Sequence, residues 1–559
     1  QGWTNWDPKN ANYPAATDLT TLDGTLGSLP VPGELSITST LTLDPSKVYS
    51  LKGMIVVRSG GKLVIPAGTV IRAQADLNSN PKNYATIVVE RGGKIEINGT
   101  KANPVVLTSA KAVGQRERGD WGGIVICGRS THNLWTAADN VQYEGFNNVS
   151  FDAGLAKFGG TTLDDNSGFI HYARIEFAGL AFEVNKEVNG LTMGAVGSAT
   201  EIDHVQVSFS NDDSFEWFGG TVNSSHLIAF KGTDDDFDTD NGYSGLCQFG
   251  IALRDSAYYD LTWQAPSGAS TSEGFESDGE ATGTANLTAH TKAVFSNMTM
   301  LGPVPVGSSY SSMNSTTKGA FRRGARIRRN SSLRIVNSIF MGYRNFVMID
   351  GDSCVRNTNY PAALALVTPN TAVNVQNQQI SFANNLIVGT GCAFTSTTDT
   401  TANGLVEITR AAGSQQKKLA IDAWVRQSGP LANNIDPVPC TSSGNVLINP
   451  LASSTTPDFR PVSGSPALSG ANFKDNPVLQ NLVPTVEIFD NAQSIPVYPN
   501  PIAGGVLNFG REVVSFGIFD SNGNLVKYGL DTDHVLIEGL PAGVYFIQLD
   551  GKAQKLIVR

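Results

Sequence analysis

The chain has 559 residues, and only 16% are charged, against roughly 25% in an average soluble protein. Its net charge of −10 repels phosphate backbones and anionic membrane surfaces, which sets nucleic acid aside as a partner. No apolar run reaches the roughly 18 residues of a membrane-spanning helix, so no transmembrane segment is expected.

The first residue is Gln1 rather than Met, from which we expect an exported protein whose signal peptide has been removed. Residues 1–35, with Trp3, Trp6 and several turn formers, are expected to cap the open end of the domain that follows. Beyond them, Met54 to Ile65 recurs as Thr86 to Ile97 with seven of twelve positions identical at an offset of 32. Asp212 to Gly220 recurs as Asp234 to Gly242 at an offset of 22, about one turn of a β-solenoid. The form Asn, four residues, Gly starts at Asn297, Asn337 and Asn384, where stacked asparagines can bond in ladders. Short Val/Ile/Leu-rich strands ending at Gly, Asn or Pro dominate, and long helical periodicity is nearly absent. The expected fold is therefore all-β: one right-handed parallel β-helix over residues 36–473, with a β-propeller as the runner-up.

The most unusual segment is Thr233 to Gly242. On an extended strand, Asp234, Asp236, Asp238 and Asp240 share one face with period two. Four such carboxylates cannot all ionise without compensation, and calcium, which takes six to eight oxygens, is the natural cation. Gly242 falls one place late for an EF-hand, and Cys247 stands where the bidentate Glu belongs, so that reading is rejected. Asp212, Asp213 and Glu216 upstream, and Glu273, Glu276 and Asp278 downstream, extend the acidic column. Two alternatives to calcium stay open: pairing with Arg322, Arg323, Arg326, Arg328 and Arg329, and a catalytic acid cluster. Trp217, Tyr243, Tyr258, Tyr259 and Trp263 cluster around these coils, as sugar platforms or as packing. His132, His171, His204, His226 and His290 show no metal-ligand spacing, and no catalytic residue is singled out.

Five cysteines, Cys127, Cys247, Cys354, Cys392 and Cys440, lack metal-type spacing. Cys127 and Cys247 are expected as buried thiols, and any two of the other three could form a disulfide. Val306 to Gly319 reads as a surface insertion, Phe459 to Phe473 as a closing segment, and residues 474–496 as a linker.

From Val497 to Arg559, strand-length runs are punctuated by Asn-Gly, Pro-Ala-Gly and Asp-Gly, as in antiparallel hairpins. Tyr498, Pro499, Asn500 and Pro501, then Asp520 and Gly523, then Leu540, Gly543 and Tyr545, and finally Lys555, occur in an order that resembles the type A C-terminal sorting domain of the Bacteroidetes type IX secretion system. The resemblance implies a small immunoglobulin-like β-sandwich at 497–559. It also implies recognition by the type IX outer-membrane translocon and its shuttle protein, and a secreted or cell-surface location. The Gly119 to Gly123 run GDWGG, with the Gly-Gly coils and Asp-rich rungs, is similar to a family of Bacteroidetes surface β-helix proteins. The expected role is structural, adhesive or glycan-binding, toward a polysaccharide or cell-surface ligand. The alternative is a calcium-dependent polysaccharide lyase or another carbohydrate-active β-helix enzyme, with an arginine of the 322–329 segment as the lyase base.

Overall fold

The computed structural model describes residues 2–14, 20–23, 34–79, 82–134, 141–143, 146, 154–183, 186–260, 271–279, 289–304, 313–367, 380–388, 405–409, 414–426, 435–438, 446–450, 457–472, 497–502, 504–519, 525–549 and 552–559. The chain divides into two compact units, Gln1–Asn472 and Phe473–Arg559. Asp520, Gly523, Trp263, Cys392, Cys440 and the linker 474–496 lie outside the described residues.

The first unit is a parallel β-helix. Among the described residues, one sheet contains 19 strands and a second contains 11, and every pairing within them is parallel. The sequence repeats are the coils: Met54–Val57 pairs with Thr86–Val89, and Phe215–Phe218 with Phe237–Asp240, at the offsets of 32 and 22 residues. Both registers keep like residues in one column. Through the second sheet, Ile55, Ile87, Ile124, Leu191, Phe215, Phe237 and Phe275 follow one another inward. The three phenylalanine rings stack at 5.6 and 5.4 Å between centroids, and all are fully buried. Each such ring contributes roughly 1.5–3 kcal/mol by leaving water.

The first sheet bends between two strand arms, and from Tyr172 onward one residue per coil turns the bend with positive φ. Tyr172, His204, His226, Phe249, Asn297, Asn337 and Asn384 take φ from 50° to 59°. Asn tolerates the left-handed region better than most L-residues, which explains why it recurs there in the last coils. Asn337 serves the tail as well: its Oδ1 accepts the Asn472 N–H at 2.9 Å and its Nδ2 donates to the Asn472 carbonyl at 3.4 Å.

Trp3 and Trp6, expected in a terminal cap, lie instead against the flank of the first sheet. Trp3 meets Tyr172 and His204 edge-on, and Trp6 meets Phe230 and Phe459. Apolar side chains on the outer flank, including Ile228, Phe230, Leu253, Leu301 and Met341, gather the two terminal segments onto one surface. Arg116, almost fully buried, donates to the Pro8 and Ala11 carbonyls, and Tyr13 donates to the buried Glu176 carboxylate. Cys127, Cys247 and Cys354 are buried free thiols, so Cys354 drops out of the expected disulfide.

The second unit is antiparallel. Val497–Tyr498, Val506–Phe519, Leu525–Leu536, Gly543–Leu549 and Lys552–Val558 surround a core that includes Ile502, Leu507, Phe509, Ile518, Ile547 and Leu556. Val497 pairs with Phe509 while Ile502 bridges Val558, so the first few residues join two edges of the sheet. Asn500 pins this join: its Nδ2 donates to the Lys555 carbonyl at 2.7 Å, and its Oδ1 accepts the Ile557 N–H at 3.0 Å.

Candidate functional site

On the outer face of the second sheet, the register places Val56, Val88, Val125, Thr192, Glu216, Asp238, Glu276 and Arg326 in one column. The apolar stretch is roofed by two excursions of the chain, one bringing Tyr143, Phe146 and Phe158 and the next Phe182, over Val56, Val88 and Val125. The polar stretch starts where that roof ends. A small cavity marks the boundary, lined by Tyr143, Phe146, Asn189, Thr192, Glu216 and Phe218.

Because Phe215 stands over Phe237, the preceding turns also align. Asp213 Oδ1 accepts the Asp235 N–H at 2.7 Å. Asp212, Asp213 and Asp234 offer oxygens that all lie within 4.8 Å of one another, and so do Asp213, Glu216 and Asp238. Asp213 belongs to both groups and is only 6% exposed. Burial, then the charges of Asp212, Asp234, Asp238 and Glu216, push its carboxyl well above the usual range. Asp238 is pushed up to about 7 by burial and by Asp240, and Asp240 to about 6 mainly by burial. Carboxyl groups so placed hold protons near neutrality or exchange them for a cation.

Arginines pair the remaining acids. Asp236 accepts from Arg254 Nε at 2.8 Å, and Arg254 also donates to the Asp234 and Glu273 carbonyls. Arg323 bridges Glu273 at 2.8 Å and Glu407 at 2.9 Å. Arg326 reaches Glu276 at 3.1 Å, Arg328 contacts both Glu276 and Asp278, and Arg329 lies 2.8 Å from Asp278. The acidic column is thus split between a carboxylate-rich half and an arginine-paired half.

Asp234, Asp236, Asp238 and Asp240 do not share one strand face, because the strand begins only at Phe237. Asp238 and Asp240 alternate outward with inward Phe237 and Thr239, whereas Asp236 is sealed against Arg254 and Asp234 sits in the turn. Asp234 and Asp238 fall into the two cation-capable groups, each through Asp213. Sequence reasoning gave Asp213 no special place and did not find Arg254. The first was legible in the 22-residue offset, which puts Asp213 beside Asp235, whereas Arg254 stands 18 residues beyond Asp236, an interval that neither repeat contains. Trp217 and Tyr243 are fully buried and stacked at 5.2 Å, so they are core and not platforms. Tyr258 is 38% exposed, with the Arg118 guanidinium 3.7 Å from its ring centre. In the C-terminal unit, Tyr498 is exposed, Tyr545 donates to the Pro541 carbonyl at 2.9 Å, and Gly543 and Lys555 pair across the last hairpin with Val558 and Phe546. The prolyl bonds at Pro499 and Pro501 are cis.

A family model described as a pectate-lyase like β-helix domain matches residues 35–426. Another, described as a secretion system C-terminal sorting domain, matches residues 496–559. No curated protein matches the chain. Among solved structures, the chain is similar to the catalytic domain of a GH87 alpha-1,3-glucanase in complex with nigerose, at 12% identity and a TM-score of 0.23, with 68% of this chain and 62% of that chain covered. It is similar to the Agl-KA catalytic domain at 7% identity and a TM-score of 0.23, over 68% of this chain and 61% of that one. It is also similar to the Dettilon tailspike protein at 11% identity and a TM-score of 0.19, over 67% and 61%. The chain therefore spans less than two thirds of each, and superpositions this loose align no side chains. The sorting domain implies delivery by the type IX machinery to the cell surface or extracellular space. No helix among the described residues is long and apolar enough to cross a membrane.

Proposed function

Because the chain belongs to the pectate-lyase-like β-helix family and carries a secretion-system sorting domain, we infer that it is an exported glycan-binding protein. In this reading, its carboxylate-rich turn holds calcium and, through the ion, a polysaccharide. The observation that carries the reading is Asp213, a buried carboxyl shared by two groups of acids whose oxygens lie within 4.8 Å of one another. Calcium accepts many oxygen ligands in flexible geometry, so sugar hydroxyls or uronate carboxylates complete the shell that the protein begins. The exposed Tyr258 ring stands on a loop tied to the same turn: Ser272 Oγ donates to the Thr233 carbonyl and accepts the Asp260 N–H. Binding at the surface of an exported protein also accounts for an adhesive role.

Calorimetric titration with calcium, followed by a glycan array with and without chelator, tests this reading. Calcium binding that Asp213→Asn weakens at least tenfold, with chelator-sensitive glycan binding, supports it; no glycan bound under either condition refutes it. A calcium-dependent lyase is the second reading, favoured by the guanidinium of Arg328, which burial and then Arg329 lower from its usual range beside the acidic row. Release of unsaturated uronides from polygalacturonate or alginate would establish it.

A further inference from the structure

The bend of the first sheet offers an independent site. In its last coils the left-handed position is Asn, the residue that suits the backbone, but in two adjacent coils it is His204 and His226, with φ of 56° and 54°. Asp203 pairs with Ser225 and Val205 with Leu227, which sets one histidine over the other. The rings stack at 4.1 Å between centroids, with planes 21° apart, and continue onto Tyr172 at 4.2 Å and Phe249 at 5.3 Å. Phenylalanine or tyrosine would serve that stack equally well. Imidazole alone supplies convergent ring nitrogens.

Those nitrogens meet on one carboxylate. His204 Nδ1 lies 2.7 Å from Asp203 Oδ2, and His226 Nδ1 lies 2.7 Å from Asp203 Oδ1. Ser225 Oγ donates to the same Oδ1 at 2.6 Å and fixes the carboxylate. The three donor atoms all lie within 4.8 Å of one another. The side chains of His204, His226 and Asp203 are 17%, 19% and 34% exposed, so water reaches them. Burial opposes ionisation of Asp203, yet the hydrogen bonds from His204, His226 and Ser225 hold its carboxyl well below the usual range.

We propose that Asp203, His204 and His226 form a transition-metal site that takes a divalent ion such as zinc through two imidazole Nδ1 atoms and one carboxylate oxygen. Two nitrogens and a carboxylate with room for water are a ligand set suited to zinc, whereas calcium prefers oxygen alone. Binding through Nδ1 needs each imidazole to carry its proton on Nε2, and it turns both rings from Asp203 toward a common ion. The carboxylate of Asp203 plays two parts, orienting the imidazoles without the ion and ligating with it. The spacing escaped sequence analysis because 22 residues is no familiar ligand interval, although it is one coil.

The test is calorimetric titration of the full chain with zinc chloride at neutral pH. We expect one equivalent to bind, and His204→Asn and His226→Asn each to weaken it at least tenfold; Asn already occupies this bend at Asn297. Asp213→Asn should leave zinc affinity unchanged. Absence of zinc binding, or binding by both histidine variants as tight as by the native chain, would overturn the site. Should a variant fail to fold, as melting in chelator would reveal, long-range proton–nitrogen spectra of the native chain decide. Zinc must then shift the ring nitrogens of these two histidines, and shifts confined to other imidazoles count against the proposal.

Discussion

Arg254 Nε donates to Asp236 Oδ2 at 2.8 Å, and both side chains are completely shielded from solvent. Burial raises the Asp236 carboxyl to about 7 against the lowering influence of Arg254, so the arginine is what keeps the buried charge tolerable. Replacing one partner of such a pair strands the other. Arg254→Met is therefore expected to destabilise the β-helix by about 3–5 kcal/mol in denaturant unfolding. The double variant Arg254→Met, Asp236→Leu should recover much of that loss.

His290 gives stability a pH dependence because its folded and unfolded imidazoles differ in proton affinity. Burial, then the charges of Lys292 and Arg334, lower its pKa from 6.5 to about 4, while a ring nitrogen lies 2.8 Å from Ser332 Oγ. Below pH 6.5 the unfolded imidazole takes a proton that the folded one refuses until about pH 4, so this contribution to stability is present above pH 6.5 and lost on acidification. Across that window the loss is on the order of 3 kcal/mol. Melting temperatures of the native chain and His290→Gln, compared from pH 7 to pH 4.5, should converge as pH falls.

Phe237 sits between Phe215 and Phe275 in the inward column, at centroid distances of 5.6 and 5.4 Å. Truncation to alanine leaves a cavity that neighbouring coils cannot collapse into. Phe237→Ala is expected to lower unfolding free energy by about 3–5 kcal/mol. Phe237→Leu, which keeps most of the volume, should lose markedly less.

Asn500 joins two edges of the C-terminal sheet through hydrogen bonds of 2.7 and 3.0 Å to backbone groups at Lys555 and Ile557. Asn500→Ala should destabilise that unit by about 1–2 kcal/mol, seen as a shift of its unfolding transition alone. Deleting Val497 to Arg559 goes further. In the native host the truncated chain is expected to remain inside the outer membrane, as cell fractionation would show; normal export of that chain would contradict the sorting role.

The solenoid was legible because its coils repeat in sequence: the Met54 and Thr86 segments and the Phe215 and Phe237 segments pair in the register their offsets predict. The sorting domain was legible for a different reason. Residues such as Asn500 and Tyr545 make side-chain contacts to backbone that few substitutes can reproduce. The candidate site was only half legible. Period-two reasoning is valid only within a strand, and the turn before Phe237 sends Asp234 and Asp236 in different directions. Arg254 and the His204–His226 pair were hidden because each meets its partner across coils, and the coil length changes along the chain. The terminal tryptophans looked like an end cap because composition alone does not distinguish the end of a solenoid from its side.

Trp6 touches Phe230 from a middle coil and Phe459 from the tail of the same unit. That three-part contact cannot exist until nearly the whole solenoid has emerged, however early its coils have stacked. The flank consequently behaves as a latch that records completion: a chain cut short before Phe459 would keep its rungs but leave Trp6 with only the Phe230 half of its contact.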